Sequence, residues 1–223
     1  MMKIDLHVHS GFSMCASTNY TEAVDSFAEQ SMDFVLCNHY NALYTTPYGG
    51  AYKESELPYK FVEEFYKAKE YGEKKGVKVF FGIEVAIVMP DCPYAEFLIY
   101  GATPQFLLDH PKMYELSQDE LYKLCSDNRL MLVQAHPFRK EQGHFPHDMT
   151  KVDGVEINCH YRFLKEEQKV RALAKEHDLI ITCGSDFHKV GQQGTGGIIC
   201  KDVMDENELK DVLLKGEFEI FTR

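Results

Sequence analysis

The sequence predicts an α/β domain whose strands form a mostly parallel sheet, closed or nearly closed into one barrel. Three observations lead there. Apolar, β-branched stretches alternate repeatedly with amphipathic helical patterns, as in a parallel sheet covered by helices. Seven main strands can be marked along the chain. No linker, internal repeat or low-complexity tract interrupts the 223 residues, so 1–223 reads as a single domain. A doubly wound open sheet is the other architecture this alternation allows.

The elements follow in order. Ile4 to Val8 alternates like a strand, and Thr21 to Met32 reads as a helix capped by Asn19 or Thr21. Phe34 to Cys37 is a short apolar strand. Residues 40–57 are polar and aromatic, with Gly49-Gly50, and read as a long loop. Leu57 to Lys75 is a helix ended by Gly76. Val77 to Val88 holds a strand and Phe97 to Tyr100 another. Ser117-x-x-Glu120 is a capping box that opens a helix to Asn128. Leu130–Gln134 and Gly154–Asn158 read as strands, Leu164–His177 as a helix, Leu179–Cys183 as a strand. A helix over Glu206–Lys215 and a strand over Phe218–Phe221 close the chain. The run Lys189 to Gly197 holds four glycines but lacks the Lys-Ser/Thr pair of a P-loop, so it reads as a flexible connection.

Composition narrows the function classes. At 44% hydrophobic and 26% charged residues the chain is not disordered. No apolar run reaches ~18 residues, so no transmembrane helix and no membrane partner is expected. Lys and Arg number 24 against 35 Asp and Glu, a net charge of −11, which argues against a long nucleic-acid partner unless a basic patch or bound cations intervene. Strand-like alternation begins within MMKIDLHVHS, so no secretory signal is expected. The seven cysteines are odd in number, widely spaced and without a C-x-x-C pair, which speaks against a disulfide framework or a zinc ribbon. Most sit in apolar runs, as Cys37 and Cys183 do, and read as small buried hydrophobes; a reducing, cytoplasmic setting fits best.

The chemistry lies in the ten histidines. In Asp5-Leu6-His7-Val8-His9 residues 5, 7 and 9 share one face of a strand, so two imidazoles project side by side. Near the other end of the chain, Asp186 and His188 stand two apart after the apolar run LIITC. Asn38-His39 ends VLC, Glu84 follows VFFGI, Ala135-His136-Pro137 ends LMLVQ, and Glu156 lies in GVEIN. In a parallel barrel all strand C-termini share one face, where active sites are built. His7, His9, His39, Glu84, His136, Asp186 and His188 would therefore converge as a metal site, with Asp5 behind them. Seven nitrogen and oxygen ligands exceed one tetrahedral ion, and the mixture suits Zn, Mn or Fe better than Ca or Mg. Glu84 could bridge two cations around a hydroxide suited to attack on phosphorus.

These motifs (DLHVHS at Asp5–Ser10, NHY at Asn38–Tyr40, GIEV at Gly82–Val85, AHP at Ala135–Pro137 and GSDFH at Gly184–His188) resemble, in type and order, those of the PHP (polymerase and histidinol phosphatase) family. The resemblance implies a distorted (β/α)7 barrel, two or three divalent ions and phosphoester hydrolysis. One ion would take His7, His9, Glu84 and Asp186. A second would share Glu84 and use His136, and a third would use His39 and His188. Three positions depart from the pattern. Asn38 stands where the family usually has Asp, and residues 101–103 (Gly-Ala-Thr) stand where a further histidine often follows the fourth strand, leaving the second ion an open position. Cys15 stands where a third-ion histidine is common; it reads first as a small buried or loop cysteine, second as a thiolate ligand.

On the substrate side, Arg139 and Arg162 lie in loops of the expected active face and are the candidates for phosphate binding. His144 and His147 share the loop of Arg139, and either could protonate a leaving alkoxide, with His144 the one placed in the catalytic set beside Glu84, Asp186 and Arg139. His160 could reach the rim, whereas His110 and His177 read as surface residues. Tyr40, Tyr44, Tyr48 and Tyr52 form either a lid or, more simply, loop packing. The expected substrate is a small phosphomonoester such as histidinol phosphate. Alternatives are a nucleotide or oligonucleotide (phosphodiesterase or exonuclease), a phosphotyrosine, a carboxamide or lactone, and a non-catalytic metal-binding regulatory barrel.

Overall fold

The computed structural model describes residues 1–90, 92–140, 143–160 and 166–223. Its strands are β1 (Met2–Val8), β2 (Asp33–Leu36), β3 (His39–Tyr40), β4 (Val79–Phe81), β5 (Ile83–Met89), β6 (Cys92–Tyr100), β7 (Met131–Gln134), β8 (Gly154–Asn158), β9 (Ile180–Gly184), β10 (Gly196–Cys200) and β11 (Phe218–Thr222). Its helices are α1 (Tyr20–Glu29), α2 (Leu57–Lys75), α3 (Pro104–Asp109), α4 (Gln118–Asp127), α5 (Glu167–His177) and α6 (Glu206–Lys215). The strands pair as two sheets, in the orders β11-β10-β1-β2-β4 and β3-β5-β6-β7-β8-β9.

The sheets are mixed, which corrects the mostly parallel expectation. Five neighbouring pairs are parallel and four are antiparallel. The β5–β6 pair shows why. Met89 pairs with Cys92, and so short a connection permits only an antiparallel return, since a parallel one needs a crossover of a dozen residues. Nor is a single closed ladder drawn among the described residues. The two sheets touch at two seams instead. His9 N–H donates to Phe187 O at 2.9 Å and Phe187 N–H to His7 O at 3.2 Å, while Gly82 N–H donates to Leu36 O at 3.1 Å and Glu84 N–H to Asn38 O at 3.2 Å. Glycine permits both approaches. A β-carbon on Gly184 would lie 2.5 Å from His7 Cβ, and one on Gly82 2.5 Å from Cys37 Sγ and Val35 Cγ1. Gly82 also divides the expected Val77–Val88 strand into β4 and β5.

Helix ends follow local chemistry. Asn19 and Ser117 each make full capping boxes, with Glu22 and Glu120. Gly76 ends α2 in the left-handed region at φ 74°. Three of the named strands and helices were not legible: α3, capped by Thr103, the two-residue β3, and β10. The supposed flexible run ends in β10 because its glycines let the strand lie against β1; a β-carbon on Gly197 would sit 2.4 Å from Ile4 O. The first residues of the expected Leu164–His177 helix fall outside the described residues, as does Arg162.

Two buried clusters fill the interior. Val35, Cys37, Phe80, Leu98, Tyr100, Met131, Val133 and Ala135 pack with Leu209, Val212 and Leu213 of α6. The alternate residues of the same strands, Phe34, Leu36, Phe81, Phe97, Ile99 and Leu132, pack in the larger cluster that also holds Phe27 of α1 and Phe61 and Phe65 of α2. Period-2 alternation thus buries both faces of the central strands. The face that carries Leu98 and Tyr100 carries Glu96 two residues earlier, and this is where apolar packing gives way to the site.

Candidate metal centre

All seven expected ligands meet at one centre. His7 and His9 are buried, and their Nε2 atoms stand 2.9 Å apart. Glu84, completely buried on β5, lies among the imidazoles: Oε1 is 3.1 Å from His136 Nε2 and 3.3 Å from His7 Nε2, and Oε2 is 2.7 Å from His39 Nδ1. Asp186 Oδ1 is 3.2 Å from His9 Nε2 and 3.4 Å from His188 Nδ1. Ring centroids of His9 lie 4.5 Å from those of His39 and 4.2 Å from those of His188.

The donor set fits divalent ions. Four groups of three side chains have ligating atoms all within 4.8 Å of one another: His7, His9, Glu84; His9, His39, His188; His39, Glu84, Glu96; and Glu96, His136, His144. His39 Nδ1 and Glu84 Oε2 are buried, yet neither makes a well-directed hydrogen bond despite their proximity. Asp5 Oδ2 and His136 Nδ1 are buried in the same condition. Buried lone pairs without partners are costly, and nitrogen and oxygen donors of this kind suit borderline first-row ions.

Electrostatics point the same way. Burial alone would depress His7, but Glu156, Glu84 and Asp186 more than reverse it and hold the imidazole well above its ordinary value. Burial, then the neighbouring His188, keeps His9 well below. Glu84 and Asp186 stay ionised against their burial, the first through His7 and His39, the second through Arg139, His7 and His188. Burial pushes Asp5 up to about 7 even though Oδ1 accepts from Ser185 N–H at 2.9 Å and His7 N–H at 3.1 Å. Two of the expected ligands sit on strained backbone, His136 at φ 29° and Asp186 at φ 53°. Such conformations cost ~1–3 kcal/mol each and cluster where function over-determines them.

The supporting shell is specific. His7 Nδ1 is 2.7 Å from Glu156 Oε1, whose other oxygen accepts from His136 N–H at 3.1 Å. His9 Nδ1 is 3.1 Å from Ser13 Oγ, which donates to Asn38 Oδ1 at 2.9 Å. Asn38 also accepts from Ser10 N–H at 2.8 Å. Asn38 therefore holds the first-motif loop and reaches His9 through Ser13.

The remaining candidates divide. Arg139 is buried and its guanidinium pairs with the Asp186 carboxylate, so it borders the ligand set. His144 stands beside His136, ring centroids 4.8 Å apart, and its Nε2 is 3.4 Å from Glu96 Oε2. Burial, then His136 and Arg139, push its pKa down to about 3, so the imidazole is neutral at pH 7. His147 packs instead on Phe97 and Phe145. His160 Nε2 is 3.1 Å from Gln192 Nε2. His188 Nε2 is 3.0 Å from Cys15 Sγ, which places that cysteine at the rim of the site. The tyrosines of 40–57 mostly pack the loop down: Tyr40 hydroxyl donates to Pro111 O at 2.6 Å, Tyr44 hydroxyl accepts from Met14 N–H at 2.9 Å, and Tyr52 stacks on Phe12.

Two carboxylates escaped the sequence reading of the ligand set, Glu96 and Glu156. Each offered one signal, a lone charge inside an apolar strand. Residues 101–103, where a further histidine was sought, lie at the far end. β6 runs antiparallel to β5 and β7, so its early residues face the centre, and Gly101 instead abuts Lys210 of α6.

Comparison with known proteins agrees with this geometry. A PHP domain family model matches residues 5–192. No curated protein sequence matches the chain significantly. Solved structures share the fold at low identity. A two-domain protein from Bacteroides vulgatus, described as containing a predicted PHP-like metal-dependent phosphoesterase, superposes with a TM-score of 0.72 at 15% identity over 100% of this chain, which spans 65% of that protein's length. PsfC from Pseudomonas syringae gives 0.68 at 18% identity, covering 100% of this chain and 91% of its own. The lesion-specific endonuclease PfuEndoQ from Pyrococcus furiosus gives 0.61 at 14%, covering 98% and 57%. No helix among the described residues is long and apolar enough to cross a membrane. With its five motifs in order and their side chains gathered at one buried centre, the chain belongs to the PHP domain family.

Proposed function

We propose that the protein is a metal-dependent phosphoesterase that hydrolyses a small phosphomonoester, in the manner of a histidinol phosphatase. The observation that carries this reading is the buried Glu84 carboxylate set between His7, His39 and His136. His7, His9, His39, Glu84, His136, Asp186 and His188 would hold two or three ions of Zn, Mn or Fe. Bound ions supply a water of lowered pKa and neutralise charge on the phosphoryl oxygens. The chain's own groups do the rest. Glu156 orients His7, and Ser13 orients His9, which fixes where those ring nitrogens point. Arg139 offers its guanidinium to a phosphoryl oxygen beside Asp186. The same reading takes the two sheets as halves of one distorted seven-stranded barrel, supported by the hydrogen bonds across both seams. Seven free cysteines suit a reducing compartment such as the cytoplasm.

The test is hydrolysis of p-nitrophenyl phosphate, histidinol phosphate, nucleoside monophosphates and a short oligonucleotide, each with added Mn2+ or Zn2+. Turnover of monoesters above the oligonucleotide is expected. Metal-loaded protein that cleaves none of them would sink the proposal.

A further inference from the structure

Glu96 and His144 stand outside the ligand set that the motifs imply, yet both point into the centre. We propose that they complete a second cation position together with Glu84 and His136, a site of two carboxylates and two imidazoles. The inference rests on the metal-dependent reading above. The motifs alone leave that position with only Glu84 and His136.

The geometry is convergent. Glu96 Oε2 lies 3.4 Å from His136 Nε2 and 3.4 Å from His144 Nε2. The two rings stand nearly perpendicular, 82° apart, so they meet at the carboxylate rather than stack. Ligating atoms of Glu96, His136 and His144 all lie within 4.8 Å of one another, and Glu84 Oε1 adjoins this group through His136 Nε2 at 3.1 Å. His136 and His144 are both buried. Imidazole and carboxylate donors of this kind suit a first-row divalent ion.

The chain is also built to hold His144 there. Gly143 adopts φ 83°, a left-handed turn that other residues resist. Gly143 N–H donates to Lys140 O at 3.0 Å and His144 N–H to Arg139 O at 3.2 Å, which ties His144 to the residues that follow His136. Gln134, at the end of β7, then pins the outgoing chain: its Nε2 donates to Phe145 O at 2.7 Å and its Oε1 accepts from His147 N–H at 3.0 Å. On this assignment His144 is a ligand and not the proton donor for a leaving group.

The experiment counts metal. Full-length protein would be freed of metal with chelator, reconstituted with MnCl2 or ZnCl2 alone, desalted and analysed by inductively coupled plasma mass spectrometry and by calorimetric titration. Glu96→Ala and His144→Ala should each lose about one equivalent, or weaken one binding step by about tenfold or more, losing one donor of four. Glu96→His, which returns a nitrogen donor, should recover that equivalent and so separates lost coordination from lost folding. Wild-type stoichiometry and affinity in both alanine variants would overturn the proposal. If the variants lose the equivalent while wild-type protein hydrolyses no phosphoester, the ligand assignment stands and the phosphoesterase reading falls.

Discussion

The strands that build this protein have two unlike ends. On β6 and β7 one end carries Leu98, Tyr100, Met131 and Val133, packed with Leu209 and Leu213 of α6. The other end carries Glu96 and leads directly into His136. At the apolar end the Tyr100 hydroxyl donates to Leu6 O at 3.1 Å. At the histidine end, buried atoms of Asp5 and His136 have no hydrogen-bond partner, and the imidazoles of His7, His39 and His136 crowd one carboxylate, Glu84. One end is therefore a finished core, and the other is a set of costs that ions would offset. Folding stability and function should be separable along a single strand.

The largest effect should break the histidine end alone. Glu84→Ala removes the carboxylate shared by three imidazoles, and metal-supported phosphatase turnover should fall by at least about 10³-fold. Thermal melting of the chelator-treated variant should show no matching loss, since a buried charge goes with the interaction. A melting temperature that falls together with activity would contradict the separation. The opposite variant tests the other end. Leu98→Ala leaves a cavity in the inner cluster and should cost about 2–5 kcal/mol in urea unfolding, while metal stoichiometry at low temperature stays that of wild type. Loss of metal in that variant would show the two ends to be coupled.

Smaller effects sharpen the comparison within the site. Glu156→Gln keeps shape but weakens the carboxylate that holds His7, and divalent-ion affinity should drop about 10–100-fold in titration calorimetry. Unchanged affinity would leave Glu156 a mere packing residue. Ser13→Ala cuts the relay from Asn38 to His9 and should cost about 1 kcal/mol of metal binding or less. A loss as large as that of Glu156→Gln would mean that the relay, not the carboxylate, governs ring orientation.

This polarity explains what could be read from the sequence. The five histidines and two carboxylates at strand ends were legible because side chains alternate along strands and apolar runs mark where strands stop. The helix caps at Asn19, Gly76 and Ser117 were legible because they are local chemistry. Glu96 was not, because its importance depends on the direction of β6, which is set by pairing with β5 and β7 and not by any residue of its own. The same error of direction sent the search for a further ligand to residues 101–103, against α6. β10 was hidden by its glycines, whose value lies in close contact with β1 rather than in β-propensity. Division into two sheets was equally invisible, since it depends on where ladders break, as at Gly82.

Gly184 carries a last consequence. Its backbone lies so near β1 that a β-carbon would come within 2.5 Å of His7 Cβ and 2.7 Å of His7 N. Only the absence of a side chain lets the two backbones lie this close. Any larger residue at position 184 would push the segment that leads to Asp186 away from the strand that bears His7. Glycine therefore sets the spacing between two of the expected ligands while contributing no donor of its own.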